Sequence, residues 1–474
     1  MDHFVVDPGD LQDLDSVEDG AKFEDAFGTL PLLRQERLAN ASELPSSIDQ
    51  LIQTVRDVSL ASEQRHVAMN ALLELSEAPA GDLARFLAGK SLSLTNPLND
   101  TCSSYQKLML VQCLLCILRD ENKASTFDMR ESGMNILRNL SRFDLNRIYL
   151  YGIPRLVDTL LHTAQSGEST KIRELALVTL NNLALDEFIA AGILDRPGFL
   201  EVFMAGAESG ETPEIRRWSL GNIRNLAVAS VNALRMCDPP FIADEVLVRC
   251  IKDEVNCAEV KETALWALVN LTCGGNNRTR LFAKSQLVEA LVGAARSRET
   301  QRYALRCLLS FCYAEENVVP LYQFPRFIET VLECVTAIEK CICIQGKMIN
   351  LMEDSFRILH EVLLNETLAR DVVKNHRVLL YSLLNLYNTC ANSFLNDLSR
   401  NEQLERLKVR SWALTLFRPL GFNKQRLQYI NIMATLSAVR GVPRLGRNSH
   451  LRQLTIEHIR ELGEFIKPLA TEST

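Results

Sequence analysis

Four asparagines recur at a nearly constant spacing in otherwise apolar stretches of the sequence. They are 43, 43 and 45 residues apart, and leucine follows each one: Asn139, Asn182, Asn225 and Asn270. A carboxamide carries both a hydrogen-bond donor and an acceptor, so it can bind a peptide N–H and a C=O together. It also competes for local backbone groups and is common at helix ends. Both chemistries fit, because each asparagine precedes a break in the apolar pattern.

The same stretches carry a small residue six positions before each asparagine. These residues are Gly133, Ala176, Ser219 and Ala264. Weaker copies of the pattern place Ser310 after Ala304, and Glu74 after Ala68, at the asparagine position. Internal periods of roughly 40–47 residues are typical of helical arrays of the armadillo or HEAT kind. The spacing therefore predicts stacked helical units, each presenting one polar side chain.

Length and composition favour an all-α array. The chain of 474 residues exceeds the size at which one compact core keeps growing. Breaks between apolar segments fall at proline or glycine, and no stretch alternates in the manner of a strand. We expect an acidic arm without fixed structure over residues 1–45 and a repeat array over 46–400. Residues 401–474 should form a degenerate helical cap with a basic tail.

One stretch resembles a repeat of a known family. "VKETALWALVNLTCGGNNRTRLFAKSQLVEALV", residues 260–292, looks like the third helix of an armadillo repeat followed by the next repeat's shorter helices. The resemblance is distant and is to the importin-α and β-catenin type of superhelix. It implies a right-handed α-solenoid of three-helix repeats with degenerate C-terminal repeats. It also implies that the third helices line a concave groove.

The resemblance also implies which residues bind a partner. The groove asparagines of the family match Asn139, Asn182, Asn225 and Asn270, which would hold the main chain of an extended peptide. Trp266 lies one turn before Asn270 and completes a W-x-x-x-N pair like those of importin-α, where tryptophans pack on cargo lysines. Acidic residues at equivalent positions keep a basic peptide compatible with the groove: Glu131, Glu174 and Glu262. Asn135, Val178 and Gly221 replace tryptophan in the other repeats.

Charge is distributed unevenly. The first 26 residues hold nine acidic residues and one lysine, whereas residues 404–453 hold ten basic residues and one glutamate. The basic stretch could be a solvated face, a docking site for the acidic arm that inhibits the protein, or a patch for acidic partners. Importin-α, by contrast, begins with a basic arm.

The sequence gives no sign of catalysis. Gly89-Lys90-Ser91 resembles the end of a phosphate-binding loop, but Ala84 stands where that loop needs glycine. No two histidines have metalloprotease spacing, and the 13 cysteines fit reduced core thiols. We therefore predict no enzyme activity, no cofactor, no metal and no small-molecule substrate.

The predicted partners are proteins. Residues 440–452 lack the interleaved aromatics of single-strand binders, which argues against nucleic acid. No apolar run reaches 18 residues and no secretory signal begins the chain, so we expect a protein of the cytoplasm, the nucleus or both. The predicted function is a non-enzymatic adaptor that binds a partner segment in the groove, with importin-α-like cargo binding as the sharper version. The alternative is an armadillo-type regulator of a partner's fold, either a guanine nucleotide exchange factor or a co-chaperone.

Overall fold

The computed structural model describes residues 48–77, 104–119, 125–238, 242, 246–339, 347–376 and 415–416. The longer helices in these ranges are, in chain order, α1 Ile48–Arg56, α2 Ser62–Glu77, α3 Ser104–Arg119, α4 Phe127–Ser141, α5 Asp144–Tyr151, α6 Leu156–Ser166, α7 Thr170–Leu183, α8 Glu187–Leu194, α9 Phe199–Ser209, α10 Pro213–Leu226, α11 Ser230–Met236, α12 Val248–Lys252, α13 Ala258–Thr272, α14 Gly275–Phe282, α15 Ser285–Ala294, α16 Gln301–Cys312, α17 Glu315–Tyr322, α18 Phe327–Glu339, α19 Lys347–Leu364 and α20 Glu366–Asn375.

The helices follow a repeating order of a first, a second and a third helix. Five sets are complete among the described residues: α5–α7, α8–α10, α11–α13, α14–α16 and α17–α19. Each third helix packs on the second helix of its own repeat and on the third helix of the next repeat, without interruption from α2 to α19. The predicted all-α solenoid of three-helix repeats is therefore confirmed. The last complete set among the described residues, α17–α19, ends at Leu364.

Small residues are buried where the third helices pack on neighbouring helices, and Ser219 lies against Gly206 of the second helix α9. Ala176, Ser219 and Ala264 have no exposed surface. A Cβ atom on Gly133 would meet Met69 of the preceding third helix at 3.6 Å. Close helix packing requires short side chains at such points. This explains why a small residue recurs six positions before each asparagine.

Three of the third helices begin at a hydroxyl side chain of the same period. Thr126, Ser169 and Thr212 lie 43 residues apart, and each accepts a hydrogen bond from the backbone N–H three positions later, at 3.1–3.2 Å. Such caps satisfy backbone donors that have no partner within the helix. They fix where α4, α7 and α10 start.

Left-handed backbone precedes three of the second helices. Arg155, Gly198 and Arg326 have φ of 66°, 77° and 62°, and each follows a proline directly. Proline at the second position and a residue with positive φ at the third position are typical of a type II turn. These turns redirect the chain between the first and second helices.

Two predicted segments lie outside the described residues. They are the acidic arm, residues 1–45, and the basic stretch 404–453 apart from Thr415 and Leu416. Their proposed roles remain predictions. Among the described helices, none combines the length and the apolar character needed to cross a membrane.

Candidate functional site: the third-helix face

The third helices present a row of partly exposed side chains that we call the third-helix face. Its members lie at helical spacing on α4, α7, α10, α13 and α16: Glu131, Asn135, Arg138, Glu174, Val178, Asn182, Arg217, Arg224, Glu262, Trp266, Arg302, Tyr303 and Arg306. The face contains both charges and two aromatic rings. It is the surface on which the sequence predicted a peptide site.

The four recurring asparagines direct their amide N–H groups along the solenoid. Asn182, Asn225 and Asn270 each donate to the backbone carbonyl of the residue before the preceding asparagine, at 3.4, 3.0 and 2.9 Å. Asn182 also donates to Ser141 Oγ at 3.0 Å, and Asn139 donates to Ser76 Oγ at 2.9 Å. The asparagines therefore join each third helix to the one before it.

These hydrogen bonds leave little of the asparagines at the surface. Asn139, Asn225 and Asn270 are only 4, 4 and 7 % exposed, whereas Asn182 is half-buried. The sequence left open whether these asparagines are structural. The structure shows that the side-chain N–H groups of all four donate to groups of the solenoid itself. Their binding of a partner's main chain stays a prediction.

The acceptor sides of the asparagines differ in alternate repeats. Arg138 Nε donates to Asn139 Oδ1 at 3.2 Å, and Arg224 Nε donates to Asn225 Oδ1 at 3.1 Å. Asn182 follows another asparagine and Asn270 follows a valine, and no described residue donates to their side-chain oxygens. Among the four, Asn182 and Asn270 therefore have side-chain oxygens that accept from no described donor.

Trp266 lies at the centre of a stack that spans three third helices. The guanidinium carbon of Arg224 lies 4.3 Å from the Trp266 ring centre, and the Tyr303 ring is stacked on Trp266 with centroids 5.4 Å apart and an interplanar angle of 20°. Cation–π and offset-stacked contacts are both favourable. Because these partners occupy the ring, a guest lysine could pack on Trp266 only by displacing one of them.

The three acidic residues predicted for the groove lie along the third-helix face and remain half-exposed. Glu174 is engaged, because its Oε1 accepts from the hydroxyl of Thr212 at 3.0 Å. Thr212 caps α10, so this contact links two successive third helices. The carboxylates share the face with several arginines, which makes its charge mixed rather than uniformly acidic.

Comparison with known proteins places this geometry in a recognised architecture. No protein-family model matches the chain, and no curated protein matches it by sequence. Among solved structures, one from work on a phosphorylation switch that controls the interaction between cadherin and β-catenin matches with a TM-score of 0.51 at 17 % identity, covering 84 % of this chain and 83 % of the other. The fold is an armadillo-type solenoid.

A designed armadillo repeat protein in complex with the peptide (KR)4 is also similar. Its TM-score is 0.45 at 15 % identity, and the match covers 56 % of this chain and all of that one. At these identities the likeness concerns the fold alone. The resemblance to armadillo repeats inferred from the sequence is confirmed, at the level of the fold, by the structure from the cadherin and β-catenin work.

A second series of asparagines in the armadillo solenoid escaped the sequence analysis. Each lies seven positions after a third-helix asparagine or its serine equivalent, on a first helix: Asn146, Asn232, Asn277 and Asn317. All four are buried and donate to backbone carbonyls at 2.9–3.3 Å. Three bind a carbonyl in the last turn of the preceding third helix. The seven-residue offset was the signal that could have revealed them.

The other reactive side chains in the described part of the solenoid are buried or lack the neighbours that a metal or catalytic site needs. No cluster of histidine, cysteine and carboxylate groups there could hold a metal ion. Burial raises the pKa of the Cys113 and Cys250 thiols to about 12, so these cysteines are poor nucleophiles. Burial likewise raises the pKa of Asp354 to about 6, although Arg306 Nε donates to its Oδ2 at 2.9 Å.

Proposed function

We propose that the protein is a non-enzymatic adaptor that binds a segment of another protein along the third-helix face. The observation that carries the proposal is the uninterrupted packing of third helices from α2 to α19, which lines up one set of half-exposed side chains per repeat. A long row of regularly spaced contacts suits an extended segment. Loops or termini of a partner could bind there without refolding.

Main-chain recognition by the asparagines is proposed in a reduced form. Asn182 and Asn270 each offer an amide oxygen that could accept a peptide N–H. Asn139 and Asn225 are poorer acceptors, because each is 4 % exposed and already accepts from Arg138 or Arg224. Hydrogen bonds to the main chain give affinity, and the side chains between them set specificity. Specificity would come from Asn135, Val178 and the Trp266 stack.

Importin-α-like cargo binding is the less favoured version of the proposal. It needs a tryptophan face that is open to a lysine stem, and Arg224 lies over the Trp266 ring. The arginines on the face also oppose a highly basic segment. A neutral or acidic segment, which brings no lysine to Trp266, fits the arrangement better. A reducing compartment, cytoplasm or nucleus, belongs to the same proposal, because none of the nine described cysteines is in a disulfide.

No feature of the described residues favours an exchange factor or a co-chaperone over an adaptor. The two classes predict different behaviour in solution. An exchange factor binds a nucleotide-free GTPase better than the nucleotide-bound form, whereas an adaptor binds isolated partner segments. Testing each recovered partner as a folded protein and as synthetic peptides distinguishes them.

The decisive experiment obstructs the third-helix face without touching the core. Val178 is half-exposed on α7, so Val178→Arg should place a bulky cation in the path of a bound segment. Val255→Arg makes the same change at a fully solvated loop before α13 and is the matched control. Both proteins serve as bait in affinity purification with quantitative mass spectrometry.

We expect at least one partner of the wild-type chain to be lost with Val178→Arg and kept with Val255→Arg. Asn182→Ala should weaken the same partners less, because it removes one acceptor and adds no obstruction. If Val178→Arg retains every partner at the wild-type level, the third-helix face is not the binding surface.

A further inference from the structure

Three consecutive repeats expose large apolar side chains on and beside their first helices. We call this set the apolar ridge. Each member is at least 40 % exposed: Leu145, Ile148, Leu185, Phe188, Val228, Val231 and Leu234. Isolated exposed apolar residues are ordinary, but large apolar side chains exposed at equivalent positions of three neighbouring repeats indicate an interaction site.

The ridge follows the repeat and then ends. Leu145, Phe188 and Val231 occupy equivalent positions 43 residues apart and are the centre of the ridge, with Phe188 75 % exposed. The equivalent positions of the next two repeats hold Asn276 and Glu316, both exposed and polar. The apolar surface is therefore a property of three particular repeats and not of the array as a whole.

Buried groups beneath the ridge hold its helices in place. Asn146 and Asn232, next to Leu145 and Val231, have no exposed surface. Asn146 binds the last turn of α4, and Asn232 donates to Ala190 on the neighbouring first helix at 2.9 Å. Because these polar groups anchor the inner side, the apolar residues cannot turn inward. The ridge is thus a fixed surface in the folded chain.

The first helices are also in contact with one another along the ridge. The Phe188 ring meets the edge of Tyr151 on α5 at a centroid distance of 6.5 Å. The hydrogen bond from Asn232 joins α11 to α8 in the same way. Stacked helices lie about 8–10 Å apart. At that usual spacing, the three central residues would recur at intervals of about 8–10 Å.

An unpaired cation stands at one end of the ridge. Arg142 occupies the position equivalent to Leu185 and Val228, is exposed, and forms no ion pair with any described residue. Arg138, one turn earlier, has its pKa lowered by burial and by the charge of Arg142, although Glu77 opposes the effect. Arg138 and Arg142 therefore form a positively charged spot at which a partner carboxylate would bind favourably.

The remaining charges beside the ridge limit the pattern that fits. Asp144 is paired with Arg147 at 2.7 Å, and Asp195 with Arg235 at 2.7 Å. Asp186 accepts from the Ile189 N–H at the start of α8.

Glu187 is exposed next to Phe188 and is the acidic residue left for a partner cation. The ridge therefore offers the cation Arg142 in its first repeat and the anion Glu187 in its second.

We propose that the apolar ridge docks an amphipathic α-helix of a partner protein, with a carboxylate over Arg142 and a lysine or arginine beside Glu187. Seven residues of an α-helix rise about 10.5 Å, just above the upper end of the 8–10 Å range for stacked helices. Apolar residues seven apart in the partner would then meet Leu145, Phe188 and Val231 in turn. The charges fix the direction and register of the helix.

The test uses the full-length chain and a defined probe. The probe is a fluorescent, helix-favouring peptide of about 20 residues, with leucine on one face at seven-residue spacing, glutamate at one end and lysine near the middle. Fluorescence anisotropy measures its affinity. Phe188→Ser with Val231→Ser removes the centre of the ridge at exposed positions, so folding should be kept. Val255→Ser, at a residue 81 % exposed elsewhere, is the matched control.

We expect saturable binding to the wild-type chain and to Val255→Ser, and affinity at least about tenfold weaker for the double variant. Arg142→Glu should weaken the probe, and a probe with lysine in place of the terminal glutamate should recover the loss. Val178→Arg, which obstructs the third-helix face, should leave this binding unchanged.

Three outcomes overturn the proposal. One is the absence of saturable binding to the wild-type chain. Another is equal binding of the double variant or of a peptide with its leucines scrambled. The third is sedimentation of the wild-type chain as a dimer that the double variant converts to a monomer, because a second copy would then be the occupant of the ridge.

Discussion

The side-chain amide of Asn225 donates to the backbone carbonyl oxygen of Asn181, 3.0 Å away on the preceding third helix. The same contact recurs from Asn270 to Arg224 and from Asn182 to Arg138. A residue type that suggested peptide recognition thus also holds successive repeats in register. Its two hydrogen-bonding functions are divided: the donor serves the fold, and the acceptor, in alternate repeats, is left for a guest.

Loss of the Asn225 amide should destabilise the chain. Asn225→Ala leaves the buried Asn181 carbonyl and one donor of Arg224 without this partner, which costs about 1–3 kcal/mol. Asn182→Ala should cost less, because Asn182 is half-buried and water can replace its bonds. Urea unfolding followed by circular dichroism measures both. Equal midpoints for the two variants would contradict the structural role given to Asn225.

The stack on Trp266 should show measurable coupling. Arg224→Met keeps the aliphatic length but removes the charge over the ring, and Trp266→Leu removes the ring. A double-mutant cycle of the two should give a coupling free energy of about 0.5–2 kcal/mol. Arg224 and Tyr303 should couple less strongly, because Trp266 is the ring that each of them contacts. No coupling between Arg224 and Trp266 would mean that the contact is absent in solution.

Substitutions in two of the left-handed turns before the second helices should change the free energy of unfolding differently. Gly198→Ala should lower the free energy of unfolding by about 1 kcal/mol. The cause would be backbone strain alone, because no atom lies within 4 Å of the place that a Cβ would take. Arg155→Gly, at φ of 66°, should be neutral or stabilising by less than about 1 kcal/mol, since glycine relieves strain but frees the unfolded chain. Thermal unfolding of the two variants checks that Gly198→Ala lowers the melting temperature and that Arg155→Gly does not.

Asp354 should make stability fall as the pH rises through the weakly acidic range. Burial raises its pKa from 3.8 to about 6, outweighing Arg306, so the folded chain binds a proton more tightly than the unfolded chain. Its contribution to stability is therefore greatest below about pH 4 and is lost by about pH 7, a change of up to about 3 kcal/mol.

The difference in unfolding free energy between the wild type and Asp354→Asn isolates this contribution. Between pH 4 and pH 7, the unfolding free energy of the wild type should fall relative to that of Asp354→Asn. Glu353→Gln is the control for a nearby carboxylate with partial exposure. A difference that stays constant over the same range would show that Asp354 titrates normally.

Parts of the site could be read from the sequence because they are local or periodic. Asn182 was found from its spacing and Trp266 from the resemblance to armadillo repeats, and both lie on the third-helix face. Asn146 and its equivalents had the same period but were overlooked, since a second asparagine seven positions on was not compared between repeats. Arg224 gave no signal, because an arginine on a helix is ordinary until its neighbour in the next repeat is known.

The repeat spacing, the small residue at each close approach and the asparagine at each helix end were determined by the sequence itself. Each depends on helical geometry within one repeat, and recurrence made the pattern visible. Only the tertiary structure decided that the amides bind the neighbouring helix, that Arg224 and Tyr303 occupy Trp266, and that Leu145, Phe188 and Val231 form one exposed ridge. These features join residues about 40 positions apart, and the way in which one repeat packs on the next determines them.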